Sequence, residues 1–124
     1  MNNYQNGHLA EYMAMWFLRF RGYRLLFQNY RCGRGTHAGE VDLIMLKKKT
    51  VVFIEVKQRQ TLEKAAYAVL PPQKKRIRRA AEAFLSRHPQ YMDYGIRFDA
   101  VLVSLPFKIV HLPNAFLIRP DVLT

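Results

Sequence analysis

Acidic residues are scarce in this chain and cysteine is nearly absent. Nine Asp and Glu stand against twenty Lys and Arg among 124 residues, a formal charge of +11 at neutral pH. The single Cys32 excludes an intramolecular disulfide, and His8, His37, His88 and His111 are too scattered for the paired spacing of a zinc site. There is no Ser/Gly-rich stretch, low-complexity segment or internal repeat, which argues against a disordered tail or a solenoid. The N-terminus lacks the charged, apolar, then small-residue pattern of a secretory signal. The apolar run from Leu9 to Leu18 is interrupted by Glu11 and is far below the roughly 20 residues needed to cross a bilayer. The expectation is a cytoplasmic, non-membrane protein with one domain over 1–124.

Half of the residues are apolar, enough for a chain of this length to bury roughly two-thirds of its unfolded surface. The basic excess attracts polyanions, of which nucleic acid is the commonest in a cytoplasm; a merely solvated basic face is the plain alternative.

From about Gly7 to Arg21, Leu9, Met13, Trp16, Phe17 and Phe20 recur at helical spacing, and Gly22 ends the run. On that wheel Glu11 falls opposite the apolar stripe. Tyr23 to Tyr30 reads as a strand, and the glycine-rich, basic stretch from Arg31 to Gly39 as a loop. Val41 to Leu46 and Val51 to Val56 form an antiparallel hairpin across Lys47 to Thr50. Gln58 to Leu70 has no clear pattern. After Pro71 and Pro72, Ile77, Ala80, Ala81, Phe84 and Leu85 mark a second helix that ends near His88 and Pro89. Arg97 to Leu105 and Phe107 to Leu112 are two closing strands broken at Pro106. Helix, three strands, helix, two strands predicts an α/β sandwich around one mixed sheet flanked by helices.

A hairpin centred on Lys48 and Lys49 sets Asp42 opposite Glu55 and Glu40 opposite Lys57. Strict alternation puts these four on one face with Ile44, Leu46, Val51 and Phe53, and puts Val41, Leu43, Met45, Val52, Ile54 and Val56 on a wholly apolar one. Two carboxylates about 5 Å apart at Cβ repel unless something lies between them. The candidates are Lys57, as a salt-bridge network with Glu40, Asp42 and Glu55, or a divalent cation; an all-oxygen donor pair suits Mg²⁺ or Mn²⁺ and suits zinc poorly.

Asp42, twelve intervening residues, then Glu55-Val56-Lys57 at the end of an apolar strand is the spacing of the PD-(D/E)xK nucleases. Each part has a chemical reason. Asp42 and Glu55 can hold metal that polarises a scissile phosphate and acidifies a water, while Lys57 positions that water or steadies charge on the phosphate.

At this point the sequence resembles the YraN-like family of small bacterial proteins. The likeness is carried by Ala10-Glu11, Gly22-Tyr23, Asn29, Arg31, Gly39-Glu40-Val41-Asp42-Leu43-Ile44, Phe53-Ile54-Glu55-Val56-Lys57, Arg59 and Arg97-Phe98-Asp99. That family is similar in turn to Holliday-junction resolvases and RecB-type nuclease domains. The resemblance implies a restriction-endonuclease-like fold, an active-site triplet at Asp42, Glu55 and Lys57, and a helix-one glutamate, Glu11, that completes the site. It also implies phosphodiester hydrolysis on branched or repair intermediates, and allows a homodimer.

Lys74, Lys75, Arg76 and Arg78 take the polar side of the second helix, with Gln73 just before them. Cations in a first turn oppose the helix dipole, a conflict that bound phosphate relieves, so these residues and Arg59 are candidates to hold a DNA backbone. His37 beside Glu40 is a further candidate phosphate contact, and Tyr30, Tyr67, Tyr91 and Tyr94 are candidates to stack on bases or, as ordinary packing, to fill the core. The reading is a Mg²⁺- or Mn²⁺-dependent DNA endonuclease; the alternatives are a non-catalytic nucleic-acid-binding domain with the same fold and a structural or protein-interaction domain.

Overall fold

The computed structural model describes residues 3–35, 38–58, 71–104 and 108–115, with side chains described in the two helices from residues 8 and 74 onward. The elements come in the predicted order: α1 (Asn3–Arg19), β1 (Arg24–Cys32), β2 (Gly39–Lys47), β3 (Thr50–Gln58), α2 (Pro71–Arg87), β4 (Gly95–Ser104) and β5 (Lys108–Leu112). Arg59, His37, Tyr67 and the patternless stretch after Gln58 lie outside the described residues, as does the break at Pro106.

The five strands form one sheet in chain order, β1-β2-β3-β4-β5. Neighbours are antiparallel except β3 and β4, which run parallel. A parallel pair needs a long crossover between its strands, and α2 lies within that connection. The hairpin register is the predicted one, from Lys47 opposite Thr50 to Leu43 opposite Ile54. Lys48 takes the positive φ of 54° that a two-residue turn demands.

Each helix covers one face of the sheet. Ile77, Ala80, Ala81 and Phe84 of α2, the predicted stripe, pack with Tyr30, Val41, Ile44, Val51, Phe53, Ala100 and Leu102. Gly39 fits against this helix because it lacks a side chain: a Cβ there would stand 2.6 Å from the Ala80 backbone nitrogen. On the other face Ala10, Ala14, Met15 and Leu18 of α1 pack with Leu43, Met45, Val52, Ile54, Val56, Val101 and Val103. The chain leaves α1 through Gly22, at φ 93°, with the Gly22 and Tyr23 N–H groups donating to the Arg19 and Leu18 carbonyls.

The buried face of α1 is therefore rotated from the expected stripe, of which Met13 and Phe17 still pack against the core. Ala10, Ala14 and Leu18 are buried, whereas Trp16 and Phe20 face solvent and Leu9, Met13 and Phe17 are only partly covered. Small alanines let the helix backbone approach the sheet closely, and this outweighs the larger transfer gain of the aromatic rings. Turning the helix moves Glu11 from the solvent side to the edge of the core, beneath which the sheet ends.

A second correction concerns Val41, which packs under α2 and not with Leu43 and Met45. Strict alternation fails between these positions because Asn29, on the neighbouring strand, has a left-handed backbone (φ 51°). Pairing of β1 with β2 runs through Gln28 opposite Leu43 and resumes at Tyr30 opposite Val41, skipping Asn29 and Asp42. Both strands reverse their facing there.

Candidate functional site

The hairpin ladder stops at Leu43 opposite Ile54. Beyond it β2 stays with β1, Glu40 opposite Arg31 and Gly39 opposite Cys32, while β3 stays with β4 as far as Gln58 opposite Val103. The sheet thus forks, and Asp42 and Glu55 are the first residues past the branch. Asp42 fills the gap with its side chain: Oδ2 accepts the Val56 backbone N–H at 2.7 Å.

Into this fork the structure brings Asp42, Glu55, Lys57 and Glu11. The Lys57 ammonium lies 3.3 Å from Glu55 Oε1, and both side chains are largely buried. Asp42 shares hydrogen bonds with Glu55 on one side and with Glu11 on the other. Carboxyl groups can bond to one another only by sharing protons, and their affinities reflect it. Burial, then repulsion from Asp42, pushes Glu55 up to about 8 against the pull of Lys57. The same two causes push Glu11 up to about 7, with Asn29 and Arg31 acting in the opposite direction. Burial also holds Asp42 above the ordinary carboxylate value, although the Val56 N–H and its other partners favour its charge. Near neutral pH the fork holds protons that water-exposed carboxylates would have lost.

Glu40 is placed apart from this group. It is half exposed, 3.3 Å from Arg76 of α2 and 3.9 Å from Arg31. The reversal at Asn29 and Asp42 explains why Glu40 fails to share a face with Asp42 as alternation predicts. Its ion pair with Arg76 nonetheless fixes the basic side of α2 beside the end of β2. Lys74, Lys75 and Arg76 are exposed there, and Arg78 lies 3.7 Å from Glu82. Gln73 belongs to the first turn of α2, and its side chain is outside the described residues, as are Arg59 and His37.

Asn29 is the site residue that pattern reading does not assign a role. Its left-handed backbone breaks the alternation, and its side chain bonds Glu11. The available signal is an asparagine inside a β-pattern, since Asn tolerates positive φ better than its neighbours do.

Among the described residues, no three His, Cys, Asp or Glu side chains stand as a ready cage for a metal ion. The donor chemistry nevertheless fits Mg²⁺ or Mn²⁺. Mg²⁺ is ordinarily held by one or two carboxylates, with water and substrate phosphate completing its octahedron. Asp42 and Glu55 supply two such carboxylates. Among the described residues, no helix is long and apolar enough to cross a membrane.

The chain matches the model of Uncharacterised protein family UPF0102 over residues 10–103. It is 44% identical over 113 residues to UPF0102 protein amb4503 of Paramagnetospirillum magneticum, covering 90% of this chain and 87% of that protein. UPF0102 protein RPA0323 of Rhodopseudomonas palustris is 42% identical, over 91% of this chain and 84% of its own length. UPF0102 protein bll0669 of Bradyrhizobium diazoefficiens is 40% identical over 110 residues, 86% of this chain and 80% of that protein. The matched segment contains Glu11, Asn29, Asp42, Glu55, Lys57 and the basic start of α2, and the chain belongs to Uncharacterised protein family UPF0102.

Proposed function

We propose that this protein is a divalent-metal-dependent DNA endonuclease of the PD-(D/E)xK type, with a restriction-endonuclease-like sandwich as its scaffold. The carrying observation is the meeting of Asp42, Glu55 and Lys57 where β2 and β3 part. A Mg²⁺ ion held by Asp42 and Glu55 would supply Lewis-acid polarisation of phosphate and a more acidic water. The protein's own groups do the rest. Glu55 holds the Lys57 ammonium at the fork, where it can meet the charge that builds on phosphate oxygen. Glu11, poised near neutrality, can exchange a proton with a water in the fork. Lys74, Lys75 and Arg76 lie on the exposed side of the helix that Glu40 ties to β2, as a rail for the phosphate backbone.

The test is cleavage of linear and branched DNA with Mg²⁺ or Mn²⁺ by the wild type and Asp42→Ala. Loss of cleavage by at least 100-fold with DNA binding and melting temperature retained supports the assignment; cleavage that survives overturns it. A second reading, a nucleic-acid-binding domain without turnover, is favoured by the proximity of the carboxyls to one another and to Lys57, which raises their proton affinity and lets them satisfy one another without metal. It predicts salt-sensitive DNA binding and no cleavage with any divalent ion. Each phosphate contact then contributes about −0.9 to the slope of log K against log salt on duplex DNA.

A further inference from the structure

Tyr12 and Trp16 sit on successive turns of the outer side of α1, and Phe20 follows just past its last residue, its N–H donating to the Trp16 carbonyl at 3.0 Å; the three are 57%, 38% and 86% exposed. Their rings touch in series, with centroids 6.2 and 6.0 Å apart. The residues two positions behind them, Ala10, Ala14 and Leu18, are the ones that face the sheet. The helix thus shows its largest rings to water and buries two of its smallest side chains, and contiguous exposed apolar surface of this kind marks a binding site.

Position and charge say what binds. Tyr12 follows Glu11, and the two line a small cleft with Asn29 and Gln28 beside the carboxylate fork. At the other end, past Phe20, an open cavity of about 470 Å³ lies between Arg19, Gly22, Tyr23, Arg24 and Leu25. The Arg19 guanidinium lies over the Trp16 ring at 4.7 Å. The stripe therefore joins the fork to an arginine-lined cavity, with the Arg19 cation already seated on its central ring. A second copy of a chain carrying +11 meets repulsion here, whereas a flexible polyanion with aromatic faces meets attraction at every step. Duplex bases rise by about 3.4 Å each in a parallel stack, which rings inclined to one another at 70° and 40° cannot follow; such rings suit individual bases that have left the stack, as in a single strand.

We propose that α1 is a binding track for single-stranded DNA: unpaired bases stack on Tyr12, Trp16 and Phe20 while phosphates meet Arg19 and Arg24. This deepens the nuclease reading and rests on it for the direction of the strand. The substrate class becomes DNA with an unpaired arm, one end of which lies in the fork.

Trp16 is the only tryptophan of the chain, so its fluorescence reports the track directly. The experiment titrates a 12-nucleotide oligothymidylate, the matching duplex, and phosphatidylglycerol vesicles into the full chain in EDTA, with Phe20→Ala and Tyr12→Ala beside the wild type. Binding is also read by sedimentation, and thermal melts confirm that the variants fold. The proposal expects the single strand to quench Trp16. It also expects each variant to lower the ratio of single-strand to duplex affinity by about five-fold or more, the low end of what one stacked base contributes. An unchanged ratio in folded variants, or a Trp16 response to vesicles alone, overturns it. Because no metal is present, these results stand apart from cleavage: a track that binds while wild-type protein cuts nothing in Mg²⁺ leaves this inference and removes the nuclease.

Discussion

Without metal, raising the pH should destabilise this protein, and the fork sets the window. Glu55 has a folded value of about 8 against 4.5 for the free side chain, and Glu11 one of about 7. A carboxyl raised by folding holds a proton that the unfolded chain releases. Its stabilising proton is fully in place below the unfolded value and is lost as pH climbs through the folded one. Each pH unit inside that window removes up to about 1.4 kcal/mol per group. From pH 5.5 to 8, Glu55 alone accounts for about 3 kcal/mol; Glu11 shares protons through Asp42 and adds less than its full value. Against a typical stability of about 5–15 kcal/mol this is a large fraction, worth a fall of roughly 12 °C in melting temperature at this chain length. The assay is thermal or urea unfolding in EDTA at half-unit pH steps, repeated for Glu55→Gln. The variant should be flatter across the window, because an amide does not titrate. Stability that stays level or rises from pH 5.5 to 8 in the wild type, or an unchanged slope in Glu55→Gln, would refute the proton-sharing account.

The acid side is governed by a different cluster. Fully buried Asp99 is held by Arg97 at 2.8 and 2.9 Å, by His111 Nε2 at 2.7 Å and by the Asn114 N–H at 3.1 Å. Burial alone would raise its pKa, but these partners outweigh burial and lower it, so its stabilisation is present above the ordinary Asp value and fades as pH falls through the folded one. Asp99→Ala should cost about 3–5 kcal/mol in urea unfolding, because Arg97 is left partly buried without its anion. Gly39→Ala places a methyl against the Ala80 nitrogen at 2.6 Å and should cost about 1–3 kcal/mol by the same measurement. Asn29→Gly keeps the left-handed backbone and should leave unfolding within about 1 kcal/mol of wild type, while Asn29→Val should lose about 1–2 kcal/mol more. Glu40→Gln removes a half-exposed ion pair and should change stability by less than about 1 kcal/mol.

Much of the fold was legible because its signals are local. The Lys48-Lys49 turn sets the hairpin register to the residue, and continuing that register brings Asp42 and Glu55 together. Helix α2 followed from a stripe of large and small apolar residues that really is its buried face. Helix α1 misled because hydrophobicity and burial part company there: spacing weighs Trp16 and Phe20 as core, while the sheet accepts Ala10 and Ala14. The tyrosines follow the ordinary packing reading. Tyr30 packs against Phe84 at 5.5 Å, and Tyr91 lies 6.1 Å from the same ring, so these candidate base-stacking residues belong to packing. The displacement of Glu40 was illegible because one backbone angle, at Asn29, reverses the facing of two strands. Period-two alternation carries no information about where it stops.

The most direct test of the central claim is calorimetric titration of Mg²⁺ and Mn²⁺ into the wild type and Asp42→Ala near pH 7, in two buffers of different protonation enthalpy. Metal that takes the place of shared protons must release them, so wild-type binding should show a buffer-dependent heat and Asp42→Ala should bind at least ten-fold more weakly. Equal binding in both proteins, or none in either with DNA present, would contradict a metal between Asp42 and Glu55 and leave the fork as a network of carboxyls, protons and Lys57.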